Sequence, residues 1–164
     1  MTERVRIDVI SPSTDAAAAR DIVAGLAPGL TVSVLRGLWY PYARFDVECA
    51  ASALFGRRDF RLSCLVDGLT GLASTAPRFE PDPQAVPATD VLEPSIDPDE
   101  AARAARRYLA MSLGRSFRTI ADFRSRLVPC GTVHKLYWLT DLTGQRVLVD
   151  SVTGGWMTMS TRAA

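Results

Sequence analysis

The chain has 164 residues, 48% hydrophobic and 23% charged, with a formal net charge of +1. That length and balance fit one large or two small globular domains, and they exclude a disordered chain or a global basic field. No run of 18 apolar residues occurs, so no membrane span is expected.

In chain order, Val5, Ile7 and Val9 alternate with charged residues, as in a half-buried strand. Ser11-Pro12-Ser13-Thr14-Asp15 supplies helix-start chemistry. A helix is predicted over Ala16 to Leu26, stopped by Pro28-Gly29. Thr31 to Leu35 reads as a strand broken by Gly37, and Trp39 to Val47 as a longer strand in which Pro41 needs an edge or bulge. Gly56 to Asp59 reads as a connection and Phe60 to Val66 as the return strand. Between Thr75 and Pro94 fall Pro77, Pro81, Pro83, Pro87 and Pro94, half of the ten prolines. That density predicts a polyproline-like linker or surface arm over 75–96. Asp97-Pro98-Asp99-Glu100 caps a second helix, expected from about Pro98 to Leu113 and ended by Gly114. Strands are then predicted at Phe123 to Leu127, Thr132 to Leu139, Gln145 to Val149 and Gly155 to Met159, with Pro129-Cys130-Gly131 as a break.

One stretch occurs twice. Leu65-Val66-Asp67-Gly68-Leu69-Thr70-Gly71 returns as Leu148-Val149-Asp150-Ser151-Val152-Thr153-Gly154, with five of seven positions identical. Each reads as a hairpin turn. The carboxylates of Asp67 and Asp150 can accept from backbone N–H groups two and three residues on, the hydroxyls of Thr70 and Thr153 add a local bond, and Gly71 and Gly154 take the left-handed conformation. Ala18-Ala19-Arg20 and Ala104-Ala105-Arg106 align the two helices similarly. The expected fold class is therefore α+β: two related units, 1–74 and 97–164, each a helix packed on an antiparallel meander in a pseudo-twofold arrangement.

A helix followed by a meander that closes on Val-Asp-x-x-Thr-Gly resembles the PepSY-type modules. The matching positions are Val66-Asp67, Thr70-Gly71, Val149-Asp150 and Thr153-Gly154. Trp39-Tyr40-Pro41-Tyr42 is similar to the aromatic-Pro-aromatic strands of related small bacterial domains. The resemblance implies a non-catalytic binding or inhibitory module.

No phosphate loop, zinc-protease or nucleophile-elbow motif occurs, and the three cysteines lack disulfide or zinc spacing. No catalytic residue, metal or cofactor is assigned. Cys130 and His134 are the only nameable pair for an enzyme with a pocket between the repeats. The N-terminus lacks the apolar core of a signal peptide, so the expected setting is a reducing cytoplasm. Trp39, Tyr40 and Tyr42 form the densest aromatic patch and the first candidate surface for a protein or peptide partner. Arg103, Arg106, Arg107, Arg115, Arg118, Arg124 and Arg126 face one acid, Asp122, between residues 103 and 126. The first three share a helix face, which makes nucleic acid or another polyanion the alternative partner. A homo-oligomer is compatible with either reading.

Overall fold

A computed structural model of the chain describes residues 2–32, 35–53, 56–116, 122–142 and 144–159. Among the described residues, eight strands and two α-helices follow one another: β1 (Arg4–Val9), α1 (Ala16–Leu26), β2 (Arg36–Ala53), β3 (Gly56–Asp67), β4 (Ala73–Pro77), β5 (Asp82–Pro87), α2 (Pro98–Ser116), β6 (Asp122–Leu142), β7 (Gln145–Asp150) and β8 (Trp156–Met159). The strands form one mixed sheet ordered β4-β3-β2-β6-β1-β5, and β7 pairs with both β6 and β8.

The expected two helix-on-meander units are not what forms. Strands take 53% of the described residues and helices 22%, in a mixed sheet of eight strands. Several predicted breaks are strand interior. Gly37 lies inside β2, where an added Cβ would stand 3.1 Å from Leu136 Cδ1, so this glycine serves close packing. β6 runs for 21 residues through Pro129 and Gly131, the latter at φ 81°. Gly56 to Asp59 opens β3, and α2 passes through Gly114. Thr31, Val32 and Leu35 are not in a strand, and the two residues between them lie outside the described part. In the proline-rich stretch, β5 pairs antiparallel with β1, with Pro83 opposite Asp8 and Pro87 opposite Arg4. An outermost strand tolerates the missing N–H groups of these prolines, so composition alone did not reveal it.

The residues cluster into two compact units interleaved along the chain. The first comprises Met1–Tyr40, Pro81–Leu92 and His134–Ala164. One of its apolar clusters joins Val9, Trp39, Val86 and Leu136; another joins Ala19 and Val23 of α1 to Val147 and Val149 of β7. The second unit comprises Pro41–Glu80 and Glu93–Val133. There Ala101, Ala105, Leu109 and Leu113 of α2 pack on Phe45, Val47 and Cys49 of β2 and Cys64 and Val66 of β3.

Each helix thus covers strands that follow the other helix in sequence. The lead-in segments fix this exchange. In Pro12-Ser13-Thr14-Asp15, the N–H groups of Ser13 and Thr14 donate to Ser151 O at 2.8 and 2.7 Å, beside the second turn. In Pro94-Ser95-Ile96-Asp97, the N–H groups of Ser95 and Ile96 donate to Gly68 O at 2.8 and 3.2 Å, beside the first turn. Asp15 then accepts from Ala18 N–H (2.8 Å) and Asp97 from Glu100 N–H (2.7 Å), satisfying first-turn donors of α1 and α2.

The two turns share one hydrogen-bond pattern. Asp67 Oδ1 accepts from Leu69 and Thr70 N–H at 2.8 and 2.9 Å; Asp150 Oδ1 accepts from Val152 and Thr153 N–H at 2.8 and 3.2 Å. Thr70 Oγ1 accepts from Leu72 N–H and Thr153 Oγ1 from Gly155 N–H. Gly71 and Gly154 adopt φ 74° and 71°.

Gly68 sits against the backbone of β2. Its N–H donates to Pro41 O at 2.9 Å, and an added Cβ would meet that oxygen at 2.8 Å and Pro41 Cγ at 3.0 Å. Gly68→Ala should therefore lower the unfolding free energy by about 2 kcal/mol, read from the urea midpoint. Gly25→Ala is the control, because nothing lies within 4 Å of its added methyl in α1 and a helical alanine is favoured. Equal midpoints for Gly68→Ala and wild type would remove the close approach as the reason for this glycine.

Candidate functional site

The second unit carries an open groove of about 620 Å3 at the β2–β3 hairpin. Register builds it. Ser52 pairs with Arg57, Ala50 with Asp59 and Glu48 with Arg61, while Cys49 pairs with Phe60 and Val47 with Leu62. Strand alternation sends Cys49, Phe60, Val47 and Leu62 toward the α2 cluster and sets Arg57, Asp59 and Arg61 on the opposite face. Arg124 and Arg126 of β6 complete the lining, with Glu48 and Ala50 between the two arginine rows. Arg57 Nε donates to Asp59 Oδ1 at 2.8 Å, and that bond raises the Arg57 pKa further. Glu48 lies 3.7 Å from both Arg61 and Arg126. These ion pairs are loose and solvated, so they hold the guanidinium groups in place weakly.

Farther along this face the charges are more enclosed. Arg44 is buried, 3.1 Å from Asp46 Oδ1 and 5.1 Å from the centre of the Phe79 ring. Arg78 reaches Asp46 and Glu80 at 3.8 Å each.

The sequence-nominated aromatic patch is divided by burial. Trp39 is 8% exposed and spends its ring on the core beside Val9 and Val86. Tyr40 meets Tyr137 edge-on, ring centres 5.8 Å apart. Lys135 Nζ lies 5.3 Å from the Tyr137 ring centre and donates to Asp150 Oδ2 at 2.5 Å. Burial alone would raise the Asp150 pKa, but the bonds from Lys135, Val152 and Thr153 outweigh it and hold the carboxyl below its ordinary value. Tyr42, half-buried, stands opposite Asp67 in the ladder.

Arg103, Arg106 and Arg107 are exposed on α2, away from its buried Ala101, Ala105 and Leu109. Arg106 also borders a smaller, mostly apolar cavity of about 300 Å3 with Phe45, Ile96 and Pro98. Arg118 lies outside the described residues. Cys49 and Cys64 are buried in the core, and burial pushes the Cys64 thiol up to about 11, which removes its nucleophilic form at neutral pH. The Cys130 thiol donates to Val128 O at 3.3 Å, and His134 is buried with its carbonyl accepting from Ile10 N–H. Among the described residues, no three His, Cys, Asp or Glu side chains gather as a metal site. None of the described helices is long and apolar enough to cross a membrane.

Two features escaped the sequence reading. Arg57 and Arg61 were assigned to a connection and the start of a strand, although Arg-x-Asp-x-Arg already alternates there. The other is β8. All four of its residues are exposed, with Trp156 at 51%, Met157 at 51% and Met159 at 49%. Its signal was a strand with no charge and no proline. No protein-family model, curated protein or solved structure matches the chain.

Proposed function

We propose that the chain is a cytoplasmic protein-binding module that docks an extended, uncharged apolar segment of a partner along β8. The observation that carries this reading is the open edge. Among the described strands β8 pairs with β7 alone, and it presents Trp156, Met157 and Met159 to solvent. Edge strands are usually protected by charge, proline or cover. β5 carries Pro83 and Pro87, and β4 is built from small residues and ends at Pro77, whereas Trp156-Met157-Thr158-Met159 carries neither charge nor proline and is exposed among the described residues. Such an edge suits strand addition, in which main-chain bonds give affinity and alternate side chains give selectivity. Trp and Met supply large, adaptable apolar contact. The absence of charge along β8 selects an uncharged segment over an acidic or basic one. Three free thiols fit a reducing compartment. The Val-Asp-x-x-Thr-Gly hairpins, similar to those of PepSY-type binding modules, support the same reading.

The ladder names a clean variant. Asp150 N–H donates to Gly155 O at 2.8 Å, and Leu148 pairs with Met157. Antiparallel alternation then turns the main-chain groups of Trp156 and Thr158 toward the open edge. Thr158→Pro removes one outward donor without removing a bond to β7. Peptides selected by phage display on the wild-type protein should be apolar and extended. Their affinity should fall about tenfold or more on Thr158→Pro, the scale of one lost interfacial hydrogen bond with its strand geometry. Equal binding to both proteins would overturn the reading. So would a wild-type dimer, abolished by Thr158→Pro, that occupies the edge in sedimentation.

A further inference from the structure

The arginine groove of the second unit carries an inference independent of β8. We infer that it binds the phosphate backbone of a single-stranded nucleic acid without reading its sequence. Four arginines line it against two carboxylates, Glu48 and Asp59. They stand in two rows, Arg57 and Arg61 on β3 and Arg124 and Arg126 on β6. Arg124 and Arg126, two residues apart on β6, lie roughly 6.8 Å apart, a spacing suited to successive phosphates of an extended strand. Arg57 and Arg61, four apart with Asp59 between them, lie about twice that far apart and suit alternate phosphates. Arginine rather than lysine at every basic position offers the planar fork that meets two phosphate oxygens at once.

The ion pairs of three of these arginines lie at the surface: Arg57 Nε donates to Asp59 Oδ1 at 2.8 Å with both side chains exposed. Arg61 and Arg126 share Glu48 at 3.7 Å each, with all three side chains well exposed. Exposed pairs of this kind contribute about 0–1 kcal/mol, so exchange for phosphate is inexpensive. Glu48 competes with phosphate for one arginine of each row, which makes it a diagnostic residue. The volume of about 620 Å3 falls in the range of small-ligand clefts. It is large enough for the backbone of a few nucleotides. The carboxylates of an acidic peptide sit on independent side chains, whereas phosphodiester charge recurs at every nucleotide, matching paired rows.

The test is fluorescence anisotropy of labelled oligouridylate and oligothymidylate at 50 to 200 mM salt, with polyglutamate as competitor. Both oligonucleotides should bind, with a log–log salt slope of roughly −3 for four displaced counterions. The triple variant Arg57→Gln, Arg61→Gln, Arg126→Gln should lose tenfold or more in affinity, and its slope should shrink by about 2. Glu48→Gln should tighten binding severalfold. Arg103→Gln, Arg106→Gln, Arg107→Gln removes the same charge from α2 and should change affinity less than threefold. Because Glu48→Gln predicts a gain, loss of fold in the triple variant leaves the proposal exposed to refutation. No binding at 50 mM salt, equal losses from both triple variants, no gain from Glu48→Gln, or polyglutamate competing as well as unlabelled oligonucleotide would each overturn it.

Discussion

Leu109→Ala should destabilise the protein by about 3 kcal/mol, a value within the measured range for buried leucines. Leu109 is 4% exposed in the cluster formed by α2 with β2 and β3. Its neighbours across the helix–sheet contact include β-branched Val47 and Val66, both fully buried. Their restricted χ1 torsions leave little means of closing the hole, so the cavity term adds to the lost transfer free energy. Met111 on the same helix is 56% exposed, and Met111→Ala should cost less than about 0.5 kcal/mol. Chemical denaturation monitored by tryptophan fluorescence gives both values. A midpoint for Leu109→Ala no lower than that of Met111→Ala would show that α2 does not bury this face.

Asp150→Ala should cost about 2–3 kcal/mol, because the carboxylate serves two structural roles. It accepts from the N–H groups of Val152 and Thr153, and it pairs with Lys135, whose side chain is 17% exposed. Removing it strands an enclosed ammonium as well as opening the turn. Asp150→Asn keeps an acceptor for the turn but loses the ion pair, and should fall between wild type and alanine. The folded pKa of Asp150 lies below its ordinary value of 3.8. Its stabilising contribution is therefore complete above about pH 4 and is lost as pH falls through the folded value. Denaturation midpoints measured from pH 6 down to pH 2 should show a steeper acid loss for wild type than for Asp150→Asn. Parallel curves would remove the Lys135 pair from the account.

What the sequence disclosed follows from local chemistry. Asp15 and Asp97 mark helix starts because a cap is a three-residue interaction, and the Asp-x-x-Thr-Gly turns close within their own residues. The long strands were obscured because Gly37, Gly131 and Pro129 normally break strands. The close approach at Gly37 comes from residues distant in sequence, Leu136 and Trp138. Helix partners were least legible. An apolar stripe such as Ala19 and Val23 specifies burial but not which sheet supplies it. The pairing of each helix with the later or earlier strands rests on Ser13 at Ser151 and Ser95 at Gly68, contacts 138 and 27 residues apart. A clue was present in the matching Pro-Ser-x-Asp lead-ins at 12–15 and 94–97. The groove was partly visible. Arg124 and Arg126 belonged to the basic segment already singled out, but their meeting with Arg61 through Glu48 required the hairpin register.

The fold rests on an exchange: each helix covers strands that follow the other helix in sequence, α1 on β7 and α2 on β2 and β3. Methyl–methyl nuclear Overhauser contacts in an isoleucine-, leucine-, valine- and alanine-labelled sample test it most directly. Cross-peaks should join Val23 of α1 to Val147 or Val149, and Leu109 of α2 to Val47 or Val66. Cross-peaks from Val23 to Val47 or Val66, with Leu109 reaching Val147 or Val149, would contradict it.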